Sequence, residues 1–395
     1  MRKKIAFVVQ RYGLEVNGGA ELQCRQFAEH MTEHYDVEVL TTKAIDYVTW
    51  KNEYTADEEE INGVLVRRFS VKQERNNEKF NKISETVLQC RSSKEEEEEW
   101  MRQQGPYSED LITFLREHKE DYGIFVFFTY LYYTTYFGLK EVADKSIIFT
   151  EAHDETPIYL NIFNDMFKLP KGFFYNTEEE KRFVENKFGV ESVLNNNGMG
   201  GVGVEIPEDI SADRFRKKYS LDNFILYIGR IDEHKGCKAL FDYFREYKKR
   251  NGGDLKLVLM GKVVMPVPEA EDIVNLGFVS DEDKFDGLRA AKMLALPSQF
   301  ESLSMVVLEA MAVGIPVLVN GKCAVLKSHC TKSNAGLYYK DYFEFEGCLN
   351  YLMNNGDSVS EMAVNAKQYV HDNYQWDVIV CRLCELIEKV AESQI

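Results

Sequence analysis

Two cations stand five residues apart in the stretch YIGRIDEHKG, with Arg230 at the end of an apolar run and Lys235 just ahead of Gly236. Such a pair suits a diphosphate. Guanidinium and ammonium groups donate to phosphate oxygens, and a helix opening at the glycine adds unpaired N–H groups. Two carboxylates stand eight apart in FESLSMVVLEAMAVGIPVLV. Glu301 precedes a helix, where a carboxylate accepts sugar hydroxyls. Glu309 lies inside that helix with Met305, Val306, Ala312 and Val313 as neighbours, so its charge needs hydrogen-bond donors or its burial is costly. A ribose 2′,3′-diol offers two donors side by side. Gly18 and Gly19 open a helix in VNGGAELQ, and paired glycines let backbone N–H groups approach an anion. Their spacing is not the G-x-G-x-x-G dinucleotide fingerprint. His153, in TEAHDETP, follows an apolar run and is placed to touch a substrate. Each residue also has a plain reading: surface cations, turn glycines, an incidental loop histidine, and a glutamate escaping at a helix edge.

These residues need elements to hold them. KIAFVVQ, DVEVLTT, YGIFVFF, KSIIFTE and GFFYNT read as strands, with helical stretches such as AELQCRQFAEHMTEH between them. That order predicts a parallel sheet with helices on both faces. The segment Asn195 to Gly203, NNNGMGGVG, reads as a linker. The alternation then resumes with FILYIGR, DLKLVLMG, VNLGFVS, MLALPS and IPVLVN as strands. The expected fold class is α/β, with two Rossmann-like doubly wound domains facing across a cleft. Their boundaries fall at residues 1–200 and 201–374. In such sheets ligands bind outside the carboxyl ends of the strands, where Arg230, Glu301 and His153 all lie.

Bulk properties narrow the partners. The chain has 395 residues and a formal net charge of -17, so sequence-independent binding to nucleic acid is not expected. An anionic ligand must instead meet a local cluster of positive charge. The start MRKKIAFVVQRYG lacks a signal-peptide pattern, and the apolar run Phe125 to Leu139 is too short and too rich in Tyr and Thr to span a bilayer. The expected location is cytoplasmic. From Arg67 to Lys94 eight Lys/Arg face three Glu, which reads as a solvated helical insertion or as an acceptor-side or membrane-facing surface that meets anionic lipid at the inner face of a membrane. Glu95 to Glu99 reads as a solvent-exposed helix start. The eight cysteines show no secreted framework, and Cys381 and Cys384 on the last helix read as packing.

GRIDEHKG followed about seventy residues later by FESLSMVVLEAMAVGIPVL resembles the retaining glycosyltransferases of family 4, as do NGGAE and NTEEEKRFVENKFG. The resemblance implies the GT-B architecture, with a final helix, residues 375–395, crossing back to the first domain. It implies that Arg230 and Lys235 bind the donor diphosphate and that Glu309 holds the ribose. Glu301 would orient the donor sugar, assisted by backbone amides around Ser302, Leu303 and Ser304. Gly18 and Gly19 would approach the phosphates and His153 the sugar. Gly229 would line the donor site, with Phe278 and Val279 near the base. The substrates implied are a nucleotide-diphosphate sugar and a glycan or lipid-linked acceptor, with no further cofactor and no metal.

Rival readings are weaker. Asp281 to Asp283 forms a D-x-D string, but at a helix start it serves capping and dipole compensation. An epimerase or a phosphorylase could share the two-domain plan without explaining Glu301 together with Glu309. A non-catalytic nucleotide-sugar-binding subunit that stabilises a partner is the alternative from another class.

Overall fold

The computed structural model describes residues 3–16, 18–89, 92–190 and 196–393. Two compact units result: residues 1–202 together with 376–395, and residues 203–375.

The first unit holds an eight-stranded sheet built from β1 (Lys4–Val8), β2 (Asp36–Thr42), β3 (Glu58–Ile61), β4 (Val64–Phe69), β5 (Ile124–Phe128), β6 (Ser146–Phe149), β7 (Gly172–Tyr175) and β8 (Asn197–Met199). The order is β3-β4-β2-β1-β5-β6-β7-β8. Only β3 runs antiparallel, pairing with β4. Runs such as IFVFF are apolar throughout because helices cover both faces of a parallel sheet. Aromatic rings fill the layer beneath: Phe27, Phe128, Phe149 and Phe174 meet edge-on or stacked. The last helix, Trp376–Glu392, closes this layer. Trp376 packs edge-on against Phe27 and stacks on His30 at 4.1 Å.

Several sequence expectations need correcting here. Asn195 lies outside the described residues. The rest of the expected linker is not all linker, because Asn197–Met199 pairs with β7 as an edge strand. Arg67 and Arg68 do not open an insertion; they belong to β4. Their charges are spent, Arg67 on Glu38 and Glu58 and the buried Arg68 on Glu59. Lys72 pairs with Glu109 and Lys94 with Asp165. Arg91 lies outside the described residues. Within Arg67–Lys94, Lys79 and Lys82 are thus left as exposed lysines without a carboxylate partner among the described residues, which is thin for a lipid-binding face. The acidic run is not wholly solvated either. Glu97 is buried, accepting from Ser92, from Asn161 and from the backbone N–H of Ile162. Ser93 and Glu96 form a capping box at the start of that helix. Cys381 is exposed rather than packed.

The second unit holds β9 (Phe224–Ile228), β10 (Lys256–Met260), β11 (Ile273–Asn275), β12 (Leu294–Leu296), β13 (Val317–Asn320) and β14 (Gly336–Tyr339), all parallel. The order β11-β10-β9-β12-β13-β14 reverses direction between β9 and β12. In the first unit the reversal falls between β1 and β5. At such switch points the loops diverge to opposite sides and leave a crevice.

Candidate active site

The loop after β9 carries Arg230 and Lys235, and the loop after β12 carries Glu301, so all three emerge at the switch point of the second unit. Close packing of backbone shapes this crevice. Gly229 and Gly261 both have φ near 145°, at 147° and 144°, and a Cβ on Gly261 would collide with the carbonyl of Gly229. Gly236, at φ 77°, precedes the helix Cys237–Asn251; a Cβ there would lie 2.5 Å from the carbonyl of Pro297. Both loops therefore depend on glycine to come together.

The cations meet carboxylates. The Arg230 guanidinium donates to Asp232. The other Asp232 oxygen accepts from the Lys235 backbone N–H at 2.7 Å, fixing the turn. Lys235 Nζ donates to Glu301 Oε1 at 2.8 Å. The pocket expected to be simply cationic is thus a balanced network whose salt bridges face partly toward water, with Arg230 39% exposed. Asp232 was legible, two residues after Arg230 within the same motif, but sequence reasoning gave it no role.

Beyond Glu301 the backbone turns sharply. Ser304 sits at φ 69°, in the left-handed region disfavoured for a residue with a Cβ. It directly precedes the helix Met305–Val313. The backbone N–H groups of Leu303, Ser304 and Met305 have no acceptor among the described residues. Three such amides at a helix start form an anion cradle. Buried His329 holds the loop from behind. Its Nε2 donates to the Leu303 carbonyl at 2.8 Å, which leaves Nδ1 to accept from the Tyr369 hydroxyl at 3.1 Å. No spacing in the sequence links His329 to this loop.

Glu309 lies on the Met305–Val313 helix. Its Oε1 accepts from Lys284 Nζ at 2.9 Å. Burial raises the Glu309 carboxyl above the usual carboxylate range, and Lys284 pulls in the opposite direction. The donor that this buried carboxylate required is therefore partly supplied by the protein. Oε2 has no partner among the described residues, so one oxygen remains for a ligand hydroxyl. Phe278 presents an aromatic face 73% exposed, after the turn at Gly277, and Val279 beside it is half-buried. Asp281 to Asp283 opens a helix capped by Ser280, and Asp283 pairs with Lys218.

The remaining expected residues belong to the first unit. On Gly18 the side where a Cβ would stand is filled. A Cβ there would collide with the Glu21 carboxylate, which buried Arg11 grips at 2.9 Å. Gly19 alone faces open space. His153 Nε2 lies 3.3 Å from Glu155, which also accepts from Tyr130 at 2.6 Å. Burial works to raise the Glu155 carboxyl, but the His153 and Tyr130 contacts outweigh it and hold the group low. Glu180, which sequence reasoning missed, anchors the same loop through Thr150 at 2.5 Å and the Ala152 N–H at 2.7 Å.

Over 170 residues the chain is 26% identical to an uncharacterized glycosyltransferase of Methanocaldococcus jannaschii, covering 40% of this chain and 43% of that one. The chain spans between 31% and 56% of the length of the curated relatives it matches. Sucrose-phosphate synthase from Thermosynechococcus elongatus superposes with a TM-score of 0.73 at 14% identity, over 99% of this chain and all of that one. Anabaena HepE in complex with UDP and glucose superposes with a TM-score of 0.69 at 15% identity, over 98% and 100%. These likenesses show the fold: two Rossmann-like α/β units of the GT-B type. Residues 209–369, the stretch that carries Arg230, Lys235, Glu301 and Glu309, match the family model described as Glycosyl transferases group 1.

Proposed function

We propose that the chain is a retaining glycosyltransferase of the family 4 type. It would move a sugar from a nucleotide-diphosphate donor to a glycan or lipid-linked acceptor, in bacterial surface polysaccharide synthesis. The observation that carries this reading is the Lys235–Glu301 pair set beside three unpaired amides at one switch point. The solved complex of Anabaena HepE with UDP and glucose supports a nucleotide sugar as donor.

In this reading the diphosphate lies against Arg230, Lys235 and the amides of Leu303 to Met305. Glu309 Oε2 accepts a ribose hydroxyl, and Phe278 covers the base. Breaking the anomeric C–O bond places negative charge on the departing phosphate. Preorganised cations and N–H groups stabilise that charge where it forms. Lys235 donates to Glu301 before donor binds; turning toward phosphate would release the Glu301 carboxylate to sugar hydroxyls. The acceptor hydroxyl attacks from the side the leaving group departs, which retains configuration, and the departing phosphate oxygen takes its proton. The mechanism calls on no divalent metal, because Arg230, Lys235 and the helix start supply the positive charge. His153 would contact the sugar.

A thermal-shift screen over UDP-, GDP- and dTDP-sugars identifies the donor, since a bound donor raises the melting temperature by mass action. Incubation with that donor should release nucleoside diphosphate. Replacing Arg230 and Lys235 together by alanine should abolish both the shift and the release. A double variant that still binds and turns over donor would end this reading.

A further inference from the structure

A cavity of about 180 Å³ opens in the first unit, and none of the residues assigned above to the donor site lines it. It is lined by Trp50, Gln73, Arg75, Arg102, Gln103 and Tyr107, together with the backbone of Gly105 and two glutamates. Trp50 lies on the loop that follows β2, and Gln73 and Arg75 on the loop that follows β4. These are carboxyl ends of strands, where α/β sheets bind ligands.

Arg75 is the unusual member. Its guanidinium lies between the rings of Trp50 and Phe80, 5.1 and 4.6 Å from their centroids. It donates to the carbonyls of Tyr47 and Gln104 and to the Gln104 side chain, which are all neutral. Its Nε, itself buried, has no acceptor among the described residues. Elsewhere in the unit Arg11, Arg67, Arg68 and Arg116 each meet a carboxylate; Arg75 has none within ion-pair distance among the described residues. Burial depresses its pKa to about 10, while Tyr132, Asp46 and Tyr47 pull the other way. Besides Arg75 the lining carries Arg102 and the two carboxylates Glu74 and Glu99, so Arg75 brings the lining to neutrality. Arg102 lies 3.8 Å from Glu98 and 3.6 Å from Glu99, Glu99 also accepts from Gln103, and Glu74 is exposed.

The walls are held before any ligand arrives. Trp50 sits in the left-handed region at φ 54°, with its N–H on the Asp46 carbonyl and its indole N–H on the Gln104 carbonyl at 2.8 Å. The Arg75 N–H donates to the Thr49 carbonyl, and the Lys72 N–H to the Tyr107 carbonyl. A strained residue over-determined by its surroundings points to function, and preorganised walls lower the cost of binding. The volume falls below the ~300 Å³ at which pockets for drug-sized ligands begin, so one ring fits better than an extended chain. Glutamine amides pair with adjacent hydroxyls, and an aromatic ring covers C–H faces. A guanidinium fork matches a carboxylate or phosphate.

We propose that this cavity binds one anionic sugar residue, a ring bearing a carboxylate or phosphate, and that Arg75 reads its charge. That this sugar forms part of the acceptor rests on the glycosyltransferase reading; the binding itself does not.

The test is calorimetric titration of the full chain with D-glucuronate, D-glucose 6-phosphate, D-glucose and inorganic phosphate. One or both anionic sugars should bind saturably, and the two arms distinguish carboxylate from phosphate. Glucose should bind about tenfold more weakly or worse, as should the better anionic sugar to Arg75→Gln, because a charge-assisted contact is lost. UDP binding should be unchanged in that variant. Because Arg75 also packs two rings, Gln73→Glu provides a second probe: a new carboxylate on an exposed wall residue should weaken the anion without disturbing the packing. Undiminished binding in both variants, no anionic binding in the parent, or inorganic phosphate binding as tightly as the sugar would each overturn the proposal. Loss of nucleotide-sugar binding by the parent would refute the glycosyltransferase reading and leave this result standing.

Discussion

Each unit places an ion pair at the switch point of its sheet, but the two pairs are built differently. In the first unit Arg11 and Glu21 are each 6% exposed and locked together. In the second, Lys235 is 32% exposed and Glu301 14%. A buried pair whose partner is removed leaves a charge stranded in a poor dielectric, whereas a pair reached by water loses little. The first pair therefore serves the fold. The second can be opened by a ligand at small cost, as expected of groups that must exchange partners during a reaction.

Removing one partner from each pair separates these roles. Glu21→Ala should destabilise the first unit by about 3–5 kcal/mol, because Arg11 is left buried without its carboxylate. All three tryptophans, Trp50, Trp100 and Trp376, lie in that unit, so indole fluorescence during urea unfolding follows it alone. A loss below about 1 kcal/mol would mean that the Arg11–Glu21 pair behaves like an exposed one. Glu301→Ala should do the reverse. Its stability should stay within about 1 kcal/mol of the parent. Its turnover should fall about 10²–10³-fold while nucleotide binding is retained, a loss typical for one group that stabilises the transition state. Unchanged turnover would remove Glu301 from the proposed chemistry.

The same contrast explains what the sequence made legible. The parallel strands were readable because strands covered on both faces are apolar runs, as in IFVFF and FILYI. The Arg230, Lys235 and Glu301 loops were readable because strand ends and helix starts locate them. Partnerships across long separations were not. Glu97 looked solvated inside EEEEE, yet its burial depends on the N–H of Ile162, 65 residues away. Asn197–Met199 hid in a glycine- and asparagine-rich run because an edge strand needs only backbone hydrogen bonds. Lys284 reaches Glu309 across 25 residues, a contact set by packing of two helices and by no local pattern.

That last pair gives the subtlest test of the second unit. Lys284→Met keeps an unbranched side chain and removes the charge that opposes burial of the Glu309 carboxylate. Burial already holds the Glu309 carboxyl high, and Lys284 is the chief group lowering it. If ribose is held by the carboxylate, affinity must fall as pH drops through this raised pKa. Removing Lys284 raises it further, so the loss begins at higher pH. At neutral pH the variant should bind nucleoside diphosphate about tenfold more weakly, roughly the 1.4 kcal/mol of one charge-assisted contact. Raising the pH should restore much of that affinity, because the carboxylate is then ionised without help. Titrations of both proteins across pH 6 to 9 therefore separate two roles for Lys284. Recovery at alkaline pH means that it acts through the ionisation of Glu309, while a loss that is constant across pH would show that the lysine touches the nucleotide itself.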